Sequence, residues 1–182
     1  MHLAIAAAET GHLVFSTLHT INAYESIHRI IGSFPGDQQQ TVRMQMAGTL
    51  RAIVSQRLIP AYLSSGRVLA YEVLVGNMPV RRCIKEDKID QILSAMQTGR
   101  NEGMITMDQC VEDLVVRRKI TYEDGLKNAE DKKTFETHLK ERGFNVSANA
   151  PYVPQASAEK SGAAAKPAPA PQHKAPFAPK PS

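Results

Sequence analysis

His12-Leu13-Val14-Phe15-Ser16-Thr17-Leu18-His19-Thr20 is an apolar run of strand length ending in a histidine and a hydroxyl, and its flanks decide how it should sit in a fold. Upstream, residues 3–9 are Ala-rich and read as the end of a helix, closed by Gly11 where a left-handed C-cap is accepted. Downstream, Asn22 with Glu25 three residues later is an Asx form of the capping box. Ile27, Ile30 and Ile31 then form an apolar stripe that stops before Phe34-Pro35-Gly36. A continuous rather than alternating apolar run predicts a strand over 12–18 buried on both faces. The helix–strand–helix order predicts an α/β fold containing half of a parallel sheet.

Working outward, Val42, Met46, Leu50, Ile53 and Val54 recur at three- and four-residue steps and predict a second helix with a core-facing stripe. Leu58-Ile59 and Arg67–Val75 read as two strands of a hairpin turning at Ser64-Ser65-Gly66. After Gly76-Asn77 the pattern is helical only, over roughly 79–86, 88–97, 107–118, 122–129 and 131–142. Thr106 with Gln109 and Thr121 with Asp124 supply start signals for two of these helices. Three segments are therefore expected: 1–76, a partial α/β core; 77–144, a small helical domain; and 145–182, a disordered tail. The tail holds eight of the eleven prolines and almost no large apolar residues, too little apolar surface to offset its ordering entropy.

Composition narrows the partners. The 182 residues carry a formal net charge of +4, but the tail contributes +3, so residues 1–144 are close to neutral. There is no tryptophan, and no aromatic residues alternate with basic clusters as single-strand binding surfaces require, so no nucleic-acid partner is expected. Cys83 and Cys110 lie in no CxxC pair, which argues against a zinc module or a disulfide framework and fits a reduced cytoplasmic compartment. The opening MHLAIAAAE lacks a positive leader and meets Glu9 too early for a signal peptide. No stretch approaches the roughly 18 apolar residues of a membrane span.

The half-sheet makes a nucleotide a reasonable ligand to test. A P-loop needs glycines that let backbone N–H groups wrap the phosphates and a lysine that meets the β/γ charge. None of the eleven glycines is followed by lysine, and no apolar strand ending in an acidic metal ligand precedes the first helix. What remains is Thr17-Leu18-His19-Thr20 at the carboxyl end of the expected strand, where open α/β sheets bind ligands. His19 there could donate to a γ-phosphate, and the hydroxyls of Thr17 and Thr20 could hold water or a metal. Equally, His19 and Thr20 could simply terminate a strand, and His12 at its other end is more readily structural than functional.

The unbroken stretch Ala7-Ala8-Glu9-Thr10-Gly11-His12-Leu13-Val14-Phe15-Ser16-Thr17-Leu18-His19-Thr20 resembles the histidine box of the secretion and pilus ATPases. His28-Arg29-Ile30-Ile31 leading to Phe34-Pro35, Leu50 through Leu58, Gly66-Arg67-Val68 and Glu72-Val73-Leu74 follow in the same family order, to about residue 143. Val80-Arg81-Arg82-Cys83-Ile84-Lys85-Glu86 is similar to the AIRNLIRE signature of the type IV pilus retraction ATPases, the PilT/PilU family, although Arg82 replaces its asparagine and Cys83 a leucine. Ser16 stands where glycine is common. Ile120 through Ala129 leans toward the PilU branch, and the choice between branches stays open.

The resemblance implies the C-terminal half of a RecA-like ATPase core followed by a small helical bundle. It implies a truncated subunit of a hexameric ATP-hydrolysing motor for pilus retraction and twitching motility. His19 would be the γ-phosphate-side residue, with Thr17, Thr20, His12 and Arg29 beside the nucleotide; Arg81, Ile84 and Glu86 would belong to the retraction signature. ATP and Mg2+ would be the cofactors of the complete protein, bound poorly here. The partners would be copies of the chain or full-length subunits in a ring, and the inner-membrane platform protein, through which alone the membrane is reached. The alternative is a non-catalytic piece docking on full-length subunits or on the platform.

Overall fold

A computed structural model describes residues 1–144, and the expected tail disorder lies outside these residues. Three helices come first: α1 (His2–Glu9), α2 (Ala23–Gly32) and α3 (Gln39–Thr49). An antiparallel hairpin follows, β1 (Ala52–Pro60) and β2 (Arg67–Val75), paired from Ala52 with Val75 to Pro60 with Arg67. The rest is helical: α4 (Met78–Lys85), α5 (Ile92–Thr98), α6 (Met107–Val116), α7 (Tyr122–Asn128) and α8 (Lys132–Glu141), with 3-10 turns at Ile89–Gln91 and Gly99–Glu102.

Three start signals read from the sequence operate as expected. Asn22 accepts from the Glu25 N–H, Thr106 and Gln109 form a reciprocal capping box, and Thr121 accepts from the Asp124 N–H. Others are displaced. The stripe from Val42 to Val54 is not one helix: α3 stops at Thr49, and Ile53 and Val54 lie in β1, where they pair with Leu74 and Val73. β-Branched residues fit a pleated strand better than a crowded helical turn, and cross-strand packing prevailed over the accidental helical spacing. The helix expected at 88–97 is likewise a 3-10 turn leading into α5.

The main correction concerns 12–18, which is not a strand. Among the described residues the sheet consists of β1 and β2 alone. The free edge of β2 is closed by a bridge between Val73 and Ile105 and by the Tyr71 N–H donating to the Cys110 thiol. An apolar run becomes a central strand only when neighbours satisfy its backbone on both edges. Among the described residues no such neighbours are present, and the run stays single.

One face of the hairpin organises the interior. Ile53 and Leu74 pair at one end and pack into a core with Ala23, Ile27, Ile31, Val80, Ile84 and Ile92. Toward the other end, Ile59 and Ala70 join a second core with Val111, Val115, Ile120, Phe135 and Leu139. Between them the inward pair is polar, Ser55 opposite Glu72. Glu72 is only 3% exposed and accepts from the Ala23 N–H at 2.7 Å and, more weakly, from the Met107 N–H at 3.4 Å. These are the first residues of α2 and α6, so one carboxylate receives two helix N-termini.

A helix N-terminus stabilises a nearby anion by about 0.3–2 kcal/mol, whereas taking an ion out of water costs several. Burial therefore outweighs the two backbone donors, and the Glu72 carboxyl is pushed above its ordinary value, with nearby Glu130 adding to the rise. An acid whose folded-state pKa is raised stabilises the fold most below its unfolded value and loses that contribution as pH rises toward the folded one. In thermal melts, wild type minus Glu72→Gln should therefore decline in Tm as pH rises from 4.5. Glu72→Ala, which strips the Ala23 N–H of its acceptor, should be less stable than Glu72→Gln by about 1–3 kcal/mol at all pH values. A flat wild-type-minus-Gln difference would refute the assignment.

Candidate functional site

The segment from Gly11 to Thr20 leaves α1 through Gly11 at φ 90° and carries its apolar residues outward, with Leu13 74% and Phe15 88% exposed. Its two ends are fixed differently. At the start, the His12 ring nitrogen Nδ1 lies 3.0 Å from Thr10 Oγ1 and 3.3 Å from the Ala7 carbonyl, so His12 ties off the C-terminus of α1. At the end, the Thr20 hydroxyl shares a hydrogen bond with Ser26, which in turn donates to the Asn22 carbonyl at 2.9 Å. Thr17 and His19 lie between these ties, exposed and without a hydrogen-bond partner among the described residues.

The remaining nucleotide-side candidate, Arg29, is exposed in the last turn of α2, where a cation complements the helix dipole. Among the described residues no hydrogen bond links His12, Thr17, His19, Thr20 and Arg29 to one another. The structure thus separates them into a helix tie (His12), a loop anchor (Thr20), a surface cation (Arg29) and two open donors (Thr17 and His19).

Just past Thr20 lies an anchor that the sequence reading missed. Arg57 on β1 donates to the Asn128 carbonyl at 2.8 Å and lies 3.5 Å from the Ile21 carbonyl and 3.7 Å from Glu130. Asn22 donates to the same Glu130 oxygen at 3.0 Å while its own oxygen caps α2. Ala23 then meets Glu72. Three consecutive residues after the histidine segment are thereby bound to β1, β2 and the α7–α8 junction. The signal was available: Glu72 shares its strand parity with Ala70 and Leu74, so a carboxylate sat on a core-facing position.

In the signature helix α4, the three named residues play three different parts. Ile84 is fully buried in the first core, so it is packing and not a contact surface. The Arg81 guanidinium donates to the carbonyls of Gly76 at 2.6 Å, Gly48 at 2.8 Å and Leu50 at 3.3 Å, stitching α4 to the ends of α3 and β2. Gly76 permits that approach, since a Cβ there would lie 2.2 Å from the Leu50 carbonyl oxygen. Glu86 alone faces solvent, paired with Lys88 at 2.7 Å and Arg82 at 2.8 Å, and these partners hold its carboxyl down at about 2.

Among the described residues no group of histidine, cysteine, aspartate and glutamate could hold a metal ion, and no helix is long and apolar enough to cross a membrane.

The Type II/IV secretion system protein family model matches residues 1–143. The type IV pilus retraction ATPase PilT of Pseudomonas aeruginosa is 41% identical over 135 residues, 74% of this chain and 39% of that protein. A twitching motility protein of Neisseria gonorrhoeae is 43% identical over 129 residues, 71% of this chain and 34% of that one. Among solved structures, the pilus retraction motor PilT with bound ADP superposes with a TM-score of 0.67 at 44% identity, covering 75% of this chain and 38% of the motor's. The chain spans well under half the length of these relatives. The resemblance read from the histidine box therefore holds, and so does the RecA-like ATPase class of the fold.

If Arg81 holds the fold and Glu86 only the surface, alanine at each should separate them. Arg81→Ala, leaving the Gly48, Gly76 and Leu50 carbonyls without their donor, should lose roughly 1–3 kcal/mol by chemical denaturation. Glu86→Ala should leave the midpoint nearly unchanged, and equal losses would overturn this division.

Proposed function

The chain belongs to the Type II/IV secretion system protein family, and from that premise we propose that it forms the histidine-bearing part of a hexameric, ATP-hydrolysing motor that drives type IV pilus retraction and twitching motility. The observation that carries this reading is the segment around His19, an exposed imidazole on an otherwise unpaired run whose far end is locked by Thr20, Ile21, Asn22 and Ala23. A donor on a segment tied at both ends, with its own ring nitrogens open, can be presented to a phosphate lying against it.

ATP in the complete motor supplies the phosphoanhydride to be cleaved, and Mg2+ offsets charge on its β- and γ-phosphates. The residues described here do not by themselves fit that pair: no glycine precedes a lysine, and no metal-holding group is present among the described residues. The phosphate cradle is supplied from outside this sequence. The chain's own residues orient: His19 donates toward the γ-phosphate side, Thr17 offers a hydroxyl and Thr20 fixes the register. Taken alone, the chain is inactive. Copies of it, or full-length subunits, complete the ring, and the outward side of α4, with Arg82 and Glu86, faces a neighbouring subunit or the inner-membrane platform protein.

A second reading draws on the outward apolar residues, Leu13 and Phe15 together with Val54, Leu58 and Leu69 on the outer face of the hairpin. Such surface suits a non-catalytic piece that docks on full-length subunits.

The two separate in a chimera, with residues 1–143 replacing the matching segment of the P. aeruginosa retraction ATPase. Magnesium-dependent phosphate release should be retained by the chimera, fall about 10- to 1,000-fold with His19→Ala, and be absent from the present chain alone. Unchanged release after His19→Ala would remove the histidine from the site and leave the docking reading.

A further inference from the structure

Two turns far apart in sequence meet at one end of the hairpin. In the β1–β2 turn the Ala61 N–H donates to the Gly66 carbonyl at 3.0 Å, and the next residue, Tyr62, donates its N–H to the Lys119 carbonyl at 2.8 Å. That bond sets the tip of the hairpin against the turn that ends α6, Arg117-Arg118-Lys119. Arg67 opens β2 opposite Pro60 at the same end. Arg67, Arg117, Arg118 and Lys119 are all exposed, and none forms an ion pair among the described residues. The nearest acid along α6, Asp113, is already taken by Arg100 at 3.4 Å and Arg142 at 2.7 Å. In a described chain that is close to neutral, this end is a concentrated positive surface.

An apolar residue sits in its midst. Leu63 is 64% exposed and holds φ 66°, and Arg118 across the junction holds φ 53°. Both are left-handed conformations that favour glycine or asparagine and disfavour a branched or long side chain. Either turn would form more easily with glycine at these positions. At Arg118 the left-handed residue closes the C-terminus of α6, with the Lys119 N–H on the Leu114 carbonyl at 2.8 Å, so it is the leucine at the exposed hairpin tip whose retained strain points to use of the displayed side chain.

We propose that the Tyr62–Arg67 turn and the Arg117–Lys119 turn together dock on an anionic lipid bilayer. The chemistry selects this occupant. Long cations bury their stems and send their charge to lipid phosphates, while a protruding leucine enters the interface between them. An acidic peptide would need a groove with partners for its backbone, and here Leu63, Ser64, Ser65 and Gly66 all project as an exposed tip. The contact is peripheral, in keeping with the lack of any membrane-crossing helix among the described residues. It lies apart from the histidine segment and does not depend on the reading of His19.

The test uses the full 182-residue chain and vesicles of phosphatidylcholine, with or without phosphatidylglycerol. Co-sedimentation should require the anionic lipid and weaken as salt is raised. Arg117→Gln with Arg118→Asn and Lys119→Gln, in which asparagine tolerates the left-handed backbone, should lower partitioning by at least about tenfold while circular dichroism stays unchanged. The chain has no tryptophan, so Leu63→Trp places a single reporter at the tip. Its emission should shift to the blue with anionic vesicles and not with phosphatidylcholine alone. Sedimentation that survives the triple substitution, or a reporter that stays in water while the chain sediments, assigns membrane binding to other residues and overturns the proposal. So does a chain that binds neither vesicle.

Discussion

A carboxylate buried between two hydrophobic cores constrains the rest of this molecule. Glu72 points inward from the middle of β2, where an apolar residue would ordinarily continue the core, and receives the N-termini of α2 and α6. Neither helix can shift without exposing an N–H to an apolar interior or leaving a charge unpaired, and both errors cost more than the displacement of a surface contact. One side chain thus sets the entry of two helices onto one hairpin and holds the two cores in register. The raised pKa is the physical trace of that arrangement, since burial is its leading cause.

The polar ties around α2 extend this constraint toward the histidine segment. Asn22 is at once helix cap, neighbour of the Glu72-bound residue and donor to Glu130 from the α7–α8 junction. Arg57 joins β1 to that junction through the Asn128 carbonyl. The exposed run 12–20 therefore emerges from a rigid base in which helical and strand elements converge, while its apolar middle has no partner among the described residues. Support beneath an exposed donor limits where that donor can be presented, which is what the proposed phosphate-side role of His19 would need.

The signature helix shows how one short motif distributes its functions. On a helix, residues three apart share a face and neighbours do not. Ile84 falls on the buried face, Arg81 at its margin with its fork turned to three carbonyls, and Glu86 outside with Arg82 and Lys88. Arginine suits the marginal position because its planar donors reach several acceptors at once, which the point charge of a lysine cannot do. The motif therefore combines fold support with a charged exterior.

Local chemistry was legible from the sequence. The caps at Asn22, Thr106 and Thr121, the hairpin turn and the order of the later helices follow from interactions within three or four residues, which a linear text records. The histidine box was legible as well, because a likeness carried along one continuous stretch of fourteen positions, with Ser16 its departure, does not depend on the fold. Tertiary structure decided what depends on distant partners. Whether His12–Leu18 pairs as a strand turns on neighbours to either side, and periodicity is blind to them. Whether Ile53 and Val54 extend α3 or open β1 was settled by Leu74 and Val73 across the hairpin. Glu72 and Arg57 acquired their roles only when residues 21–23, 107 and 128–130 folded onto them, since a buried charge is defined by what surrounds it, and its surroundings here come from segments far apart in the sequence.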